Sequence, residues 1–288
     1  MKFTFIKCLF IGLSFMTTTT ALAEKVVSAK DMNIVGDGKT MNTKAIQKAI
    51  DFCSAQKGGG RLVFPKGEYL TGTLVMKSNV TLEVEKDAVI YGSTNPYDYY
   101  ALEETKGKDN SALALIVADK VQNIKIIGEG LIDGNGRELA LNIDSLHHIG
   151  ERVDPNYTTR LNRPNETMRP KLFFMSNSEN ILVQGLQLKN SACWGLSFDR
   201  CNNLTIKYIY FENRAYWNND GIDVTDGKHV RISHCYINSA DDGICLKSYH
   251  VGEYCDDVEV SDCEIISSAS AVKFGTASWG GFKNITVR

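Results

Sequence analysis

Three carboxylates carry the first chemical signal in this chain. Asp220 stands in Asp220-Gly221-Ile222-Asp223-Val224, and Asp241 and Asp242 open Asp241-Asp242-Gly243-Ile244-Cys245-Leu246. The two Asp-Gly-Ile stretches share one pattern. If their strands lie in register on neighbouring rungs of a parallel sheet, Asp220 and Asp242 are about 4.8 Å apart. Asp241 then joins them, and Asp223 sits one pleat away. Like charges at that spacing raise at least one pKa, which suits a general acid facing a general base. An isolated Asp-Gly is ordinarily a turn. Three acids in register gain no stability from mutual repulsion, which favours chemistry over turn formation.

The elements that must hold them in register are visible as a repeat. Short strand segments open on a polar residue, often Asn: Asn79-Val80-Thr81-Leu82, Asn123-Ile124-Lys125-Ile126, Asn180-Ile181-Leu182-Val183, Asn203-Leu204-Thr205-Ile206, His229-Val230-Arg231-Ile232, Asp257-Val258-Glu259-Val260 and Asn284-Ile285-Thr286-Val287. The last five start 23, 26, 28 and 27 residues apart, a solenoid period. Inward columns repeat with it: Leu186, Ile209, Cys235 and Cys263, then Leu188, Phe211, Ile237 and Ile265. A second strand recurs in each period, at Trp194–Phe198, Asp220–Val224, Asp242–Leu246 and Ser270–Phe274. Coils of this kind bury their apolar residues against neighbouring coils. With no helical crossovers, the pattern predicts an all-β fold, a single-stranded parallel β-helix, right-handed by the crossover rule. A leucine-rich repeat has a similar period, but its signature is absent. One helix is legible near the start, capped by Asn42 or Thr43, with Ile46, Ala49, Ile50 and Cys53 on one face and Gly58-Gly59-Gly60 ending it. It is expected to cover the first coil and its open edge.

Composition narrows the class. Among 288 residues, 43% are hydrophobic and 23% charged, which excludes disorder as the main state. Lys and Arg total 32 against 34 Asp and Glu, far from the basic balance of a dedicated nucleic-acid binder. Lys2, Lys7, the apolar stretch from Cys8 to Met16 and Ala21-Leu22-Ala23 form a secretory signal peptide over residues 1–23, cleaved after Ala23. The chain is thus expected to be secreted or periplasmic, with no membrane association after cleavage and residues 24–288 as one domain. Of eight cysteines, one falls in that leader, and the odd remainder leaves at least one free thiol. There is no zinc-like spacing, so neither a metal nor a cofactor is expected.

The sequence resembles the polygalacturonase family of pectin-degrading enzymes, glycoside hydrolase family 28, over essentially residues 30–288. The broader motifs are Gly36-Asp37-Gly38-Lys39-Thr40, Asn42-Thr43, Ala45–Ile50, Gly58-Gly59-Gly60, Pro65-Lys66-Gly67 and Gly128–Gly136. The specific ones are Asn218-Asn219-Asp220-Gly221-Ile222-Asp223, with Asn219 where the family has Thr, and Asp241-Asp242-Gly243-Ile244. The resemblance implies a pectin-lyase-like solenoid. It implies hydrolysis with inversion, in which Asp241 protonates the glycosidic oxygen while Asp220 and Asp242 hold and deprotonate water. Inversion rests on the resemblance alone, since a spacing near 5 Å is the retaining range for two-carboxylate enzymes in general. The expected partner is a pectic polysaccharide, polygalacturonan or rhamnogalacturonan. Expected sugar contacts are Asn218 and Asp223 of the first motif, Lys247 and Lys273 for a uronate carboxylate, and Ser270.

Two departures qualify this reading. Ser270 occupies the column position where the family has the His of a Gly-His-Gly motif. The family's Arg-x-Lys strand has no counterpart before Arg288, so a C-terminally incomplete member is expected, weakly active and prone to associate, but monomeric if complete. Arg214, Tyr216, Trp217, the His147-His148 pair and Asn162–Asn165 are weaker candidates, the last two in a long loop between Gly136 and Arg169. The rival readings are a calcium-dependent pectate lyase on the same fold and a non-catalytic carbohydrate-binding β-helix.

Overall fold

The computed structural model describes residues 23–102 and 112–288. The expected signal peptide lies outside this range except for Ala23. The described strands form three parallel sheets of nine, eight and seven strands, and the chain visits each sheet once per coil. This is the expected right-handed parallel β-helix. The first sheet stacks the Asn-opened segments, with Ile181, Leu204, Val230, Val258 and Ile285 in one column. The second stacks Leu188, Phe211, Ile237 and Ile265. The third runs from Leu74–Val75 to Val272–Ser278 and aligns Leu196, Ile222, Ile244 and Val272.

The recurrent Asn has a conformational cause. Asn79, Asn123, Asn180, Asn203, His229, Asp257 and Asn284 all take positive φ, from 53° to 63°. Each bends the chain at the same corner, and Asn and Asp enter the left-handed region at least cost among residues with a side chain. The amides also bond along the axis: Asn123 donates to Asn79 at 2.8 Å, Asn180 to Asn123 at 3.0 Å and Asn203 to Asn180 at 2.7 Å. Aliphatic columns between the corners fill the interior; Leu62, Leu82, Ile126, Val183, Ile206 and Ile232 are wholly buried. Cys235 is buried in its predicted column. Cys263 is half-buried one coil later, where Ile266, Phe274 and Val287 are exposed. All seven described cysteines are free thiols.

Helix α1, Thr43–Ser54, lays Ile46, Ala49, Ile50 and Cys53 on the first coil as expected. Its ends differ from the expectation. The Asn42 side chain makes no capping bond; it ties the main chain of Val35, accepting from its N–H at 2.8 Å and donating to its carbonyl at 2.9 Å. The helix stops at Ser54, before the glycines. Gly59 serves the turn into Gly60–Phe64, at φ +75°, where a Cβ would stand 2.5 Å from the Asn79 carbonyl. The stretch after Gly136, expected as a loop, instead begins with helix α2, Gly136–His148. Its apolar stripe is only Leu139, Ala140 and Ile143, all buried, too short to stand out as a period. Glu138 near its start suits the helix dipole.

Candidate active site

A cleft of about 530 Å³ opens over the third sheet. The strand pairing settles its register. Ile222 pairs with Ile244 and Ile244 with Val272, and the Gly221 and Gly243 amides donate to the carbonyls of Asp242 and Ser270. Asp220, Asp242 and Ser270 therefore occupy one column, as the sequence implied. Each acid stands where the chain turns into a strand. Asn219 fixes the first of these turns. It is wholly buried, donates to the carbonyls of Ser191 at 2.9 Å and Cys193 at 2.7 Å on the preceding coil, and accepts from the Tyr216 amide. The second turn is held at the Asp241 carbonyl, which accepts from Ser239 at 2.9 Å and Ser267 at 2.6 Å.

Asp220 and Asp242 are buried, at 4% and 3% exposure, while Asp241 is half-buried at the rim. One oxygen of each buried acid, Oδ1, has no protein hydrogen-bond partner. Burial raises the Asp220 pKa well above the ordinary aspartate value. The charges of Asp223, Asp241 and Asp242 add to the effect, with Lys247 opposing it. Lys273 Nζ donates to Asp242 Oδ2 at 2.7 Å, and Lys247 Nζ lies 3.9 Å from Asp220 Oδ2. Burial disfavours the charge on Lys247, but its ion pair with Asp223 and the nearby Cys245 and Asp220 carry its pKa above the usual lysine range.

Of the sequence-derived residues, Asn218, Asp220, Asp241, Asp242, Lys247 and Lys273 line the cleft. Asp223 and Ser270 do not. Asp223 alternates with the core residues Ile222 and Val224, is wholly buried, and bonds to Lys247, so it reaches the cleft only through that lysine. Ser270 keeps its column, yet its hydroxyl replaces a much longer imidazole. Arg214 bonds to Asn238, Ser239 and Ser268, and Trp217 stacks under Arg163 with its guanidinium carbon 4.7 Å from the ring centroid. His147 stacks on Tyr157 at 4.1 Å and accepts from the Asp154 amide. None of these lines the cleft.

Sequence reasoning missed Trp194, Lys171 and Arg169. Phe173 pairs with Leu196 and Leu196 with Ile222, so Lys171 and Trp194 lie two residues ahead of paired positions, just as Asp220 does. Extending the Asp220 column back by two coils would have found both. The strand Lys171–Ser176 escaped because its six residues are all buried and show no alternation. Arg169 is wholly buried and donates to the carbonyls of Pro164, Ala192 and Trp217 and to Asn218 Oδ1, the last at 2.7 Å. It locks the turn that presents Asn218, whose φ is 53°.

At one end of the lining, which includes Asp199 and His250, the side chains of Asp199, Asp226 and His250 each bring one ligand atom within 4.8 Å of the others. Their side chains already have protein partners. Asp226 accepts from Ser248 and from the amides of Tyr249 and His250, and Asp199 contacts Arg200 and His250.

Paired aspartates, three lysines and a tryptophan thus meet in one cleft of a three-sided parallel solenoid. The chain belongs to glycosyl hydrolases family 28, whose sequence profile matches residues 53–267. It is 27% identical over 264 residues to the exo-poly-alpha-D-galacturonosidase of Dickeya chrysanthemi, covering 80% of this chain and 43% of that protein. It is 32% identical over 232 residues to a Vitis vinifera protein named "Probable polygalacturonase", covering 77% and 44%. The chain thus spans less than half the length of these two relatives. The exopolygalacturonase of Thermotoga maritima shares the fold at a TM-score of 0.74 and 24% identity, over 93% of this chain and 66% of that one.

Proposed function

We propose that this glycoside hydrolase cleaves glycosidic bonds in pectic polysaccharide, with polygalacturonan as the first substrate to test. The observation that carries the reading is the joint presence, in one cleft, of Asp220, Asp241 and Asp242 with Lys247 and Lys273. Asp241, at the rim, is suited to meet the glycosidic oxygen and give it a proton. Asp220 and Asp242 each keep one buried oxygen without a protein partner, which suits two acceptors that share and deprotonate one water. Lys273 and Lys247 offset the gathered negative charge and leave room for an anionic sugar. The polygalacturonase names of the relatives support the same substrate, while Ser270 leaves the family's His without a counterpart. Residues 1–23 are read as a secretory leader, and no helix among the described residues is long and apolar enough to cross a membrane.

The test is release of reducing ends from polygalacturonate with and without a chelator, with ultraviolet absorbance followed in parallel. Reducing ends with no absorbance at the unsaturated-uronate band, and no loss with chelator, support hydrolysis. Unsaturated products lost on chelation would establish the lyase reading, with Asp199, Asp226 and His250 as the first residues to examine. Binding without release would establish the non-catalytic one.

A further inference from the structure

We propose that Lys171 is a specificity-determining residue that binds the carboxylate of a sugar acid on the amino-terminal side of the catalytic aspartates. The inference rests on the pectic reading above and deepens it by assigning a residue that the sequence motifs do not single out.

Three observations carry it. Lys171 lines the cleft, yet only 2% of it is exposed. Its Nζ lies 4.6 Å from the ring centroid of Phe174 and 4.7 Å from that of Trp194, and no carboxylate or hydrogen-bond acceptor among the described residues pairs with it. The other two lysines of the cleft are engaged, Lys247 with Asp223 and Lys273 with Asp242. Aromatic faces recover part of the cost of burying an ammonium, but a charge this deep is ordinarily matched by an anion. Here the side from which an anion can come is the cleft. The position also fits a polymer. Lys171 stands in the Asp220 column two rungs earlier, and two strand spacings are about 9.6 Å, within the reach of a disaccharide. Trp194 lines the cleft beside it, with Lys247 Nζ 4.2 Å from the ring centroid, so a sugar chain running along the column passes Lys171 before it meets the acids.

The electrostatics agree. Burial pushes Lys171 down to about 8; Lys247 on the strand Ile244–Ser248 adds to this, while Cys193, Asp223 and Asp199 on the neighbouring coils oppose it. A bound carboxylate would reverse the balance, so binding of an acid near pH 9 should be coupled to proton uptake by Lys171.

The test uses Lys171→Met and Lys171→Arg in an Asp241→Asn background, so that ligand is not consumed. Calorimetry compares trigalacturonate with its methyl ester at pH 7 and pH 9, and hydrolysis of polygalacturonate by the unsubstituted protein is measured alongside. The expected result is that Lys171→Met weakens binding of the acid by about 10- to 100-fold, the range of one hydrogen bond to a charged group. The ester should change little. Lys171→Arg should keep the preference for the acid and lose the proton uptake at pH 9, because arginine does not titrate there. If the protein hydrolyses polygalacturonate and Lys171→Met keeps the full preference for the acid over the ester, the assignment of Lys171 is overturned and the proposed function stands. If the unsubstituted protein neither hydrolyses the polymer nor binds any uronide, both fall.

Discussion

Replacing Asp220 by asparagine should remove hydrolysis and at the same time stabilise the fold. Asp220 is 4% exposed, its Oδ1 is buried without a protein partner, and three neighbouring acids disfavour its charge. Lys247, at 3.9 Å, opposes them, but that lysine is already paired with Asp223. An asparagine of the same shape carries no charge, and its amide is a donor in a site that holds unpartnered oxygens on Asp223 and Asp242. Relief of one buried unsatisfied group is worth about 1–3 kcal/mol, which for a domain of this size is roughly 2–10 °C in melting temperature. The pH dependence has a definite sign. A carboxyl whose folded pKa is raised contributes its stability below the unfolded pKa and loses it as pH rises through the folded value. The gap between Asp220→Asn and the unsubstituted protein should therefore be smallest at pH 3, where both side chains are neutral, and open towards pH 7. Circular dichroism melts at a fixed scan rate measure it. Asp241→Asn serves as the control, because that half-buried carboxylate has little such penalty to relieve. A melting temperature for Asp220→Asn at or below that of the unsubstituted protein at pH 7, or an equal gap at both pH values, would refute the account of this acid as one held at a cost to stability for its chemistry.

Asp241→Asn should lower turnover by about 10²–10⁴-fold, the range of general acid catalysis, with an unchanged circular dichroism spectrum, since Ser239 and Ser267 hold its main chain and not its carboxylate. With Asp220 acting as an ionised base, the acid limb of kcat/KM should lie above the ordinary aspartate pKa. Asp223→Asn removes one of the charges that raise it and should move that limb to lower pH in a pH–rate profile. Arg169→Met leaves three carbonyls, of which those of Pro164 and Ala192 are buried, and Asn218 without their donor and should cost roughly 3–5 kcal/mol in urea unfolding, with Arg169→Lys recovering only part. Asn219→Thr restores the family residue but loses the bonds to Ser191 and Cys193, and should cost about 1–3 kcal/mol by the same measurement.

The sequence by itself determined the parts of this protein that repeat. A solenoid coil meets its neighbours in a fixed register, so a column of like residues in sequence is a column in space. This is why Leu188, Phe211, Ile237 and Ile265, the recurrent Asn corner and the Asp220–Asp242 alignment were all legible in the order of residues alone. What does not repeat was decided by the tertiary structure. Helix α2 has a stripe of three apolar residues, below what a period can reveal, and it forms because the solenoid offers a surface that buries them. Asp223 and Lys247 read as two separate sugar contacts, but the pleat turns Asp223 under the lysine and makes them an ion pair. Nothing in the order of residues singled out Lys171 or Arg169. Burial depends on which side chains close over a position from other coils, and those come from residues far away in the chain: Trp194 over Lys171, and the Ala192 and Trp217 carbonyls around Arg169. Register along the axis is local information carried by the repeat, whereas enclosure across the cleft is set only when all the coils are stacked.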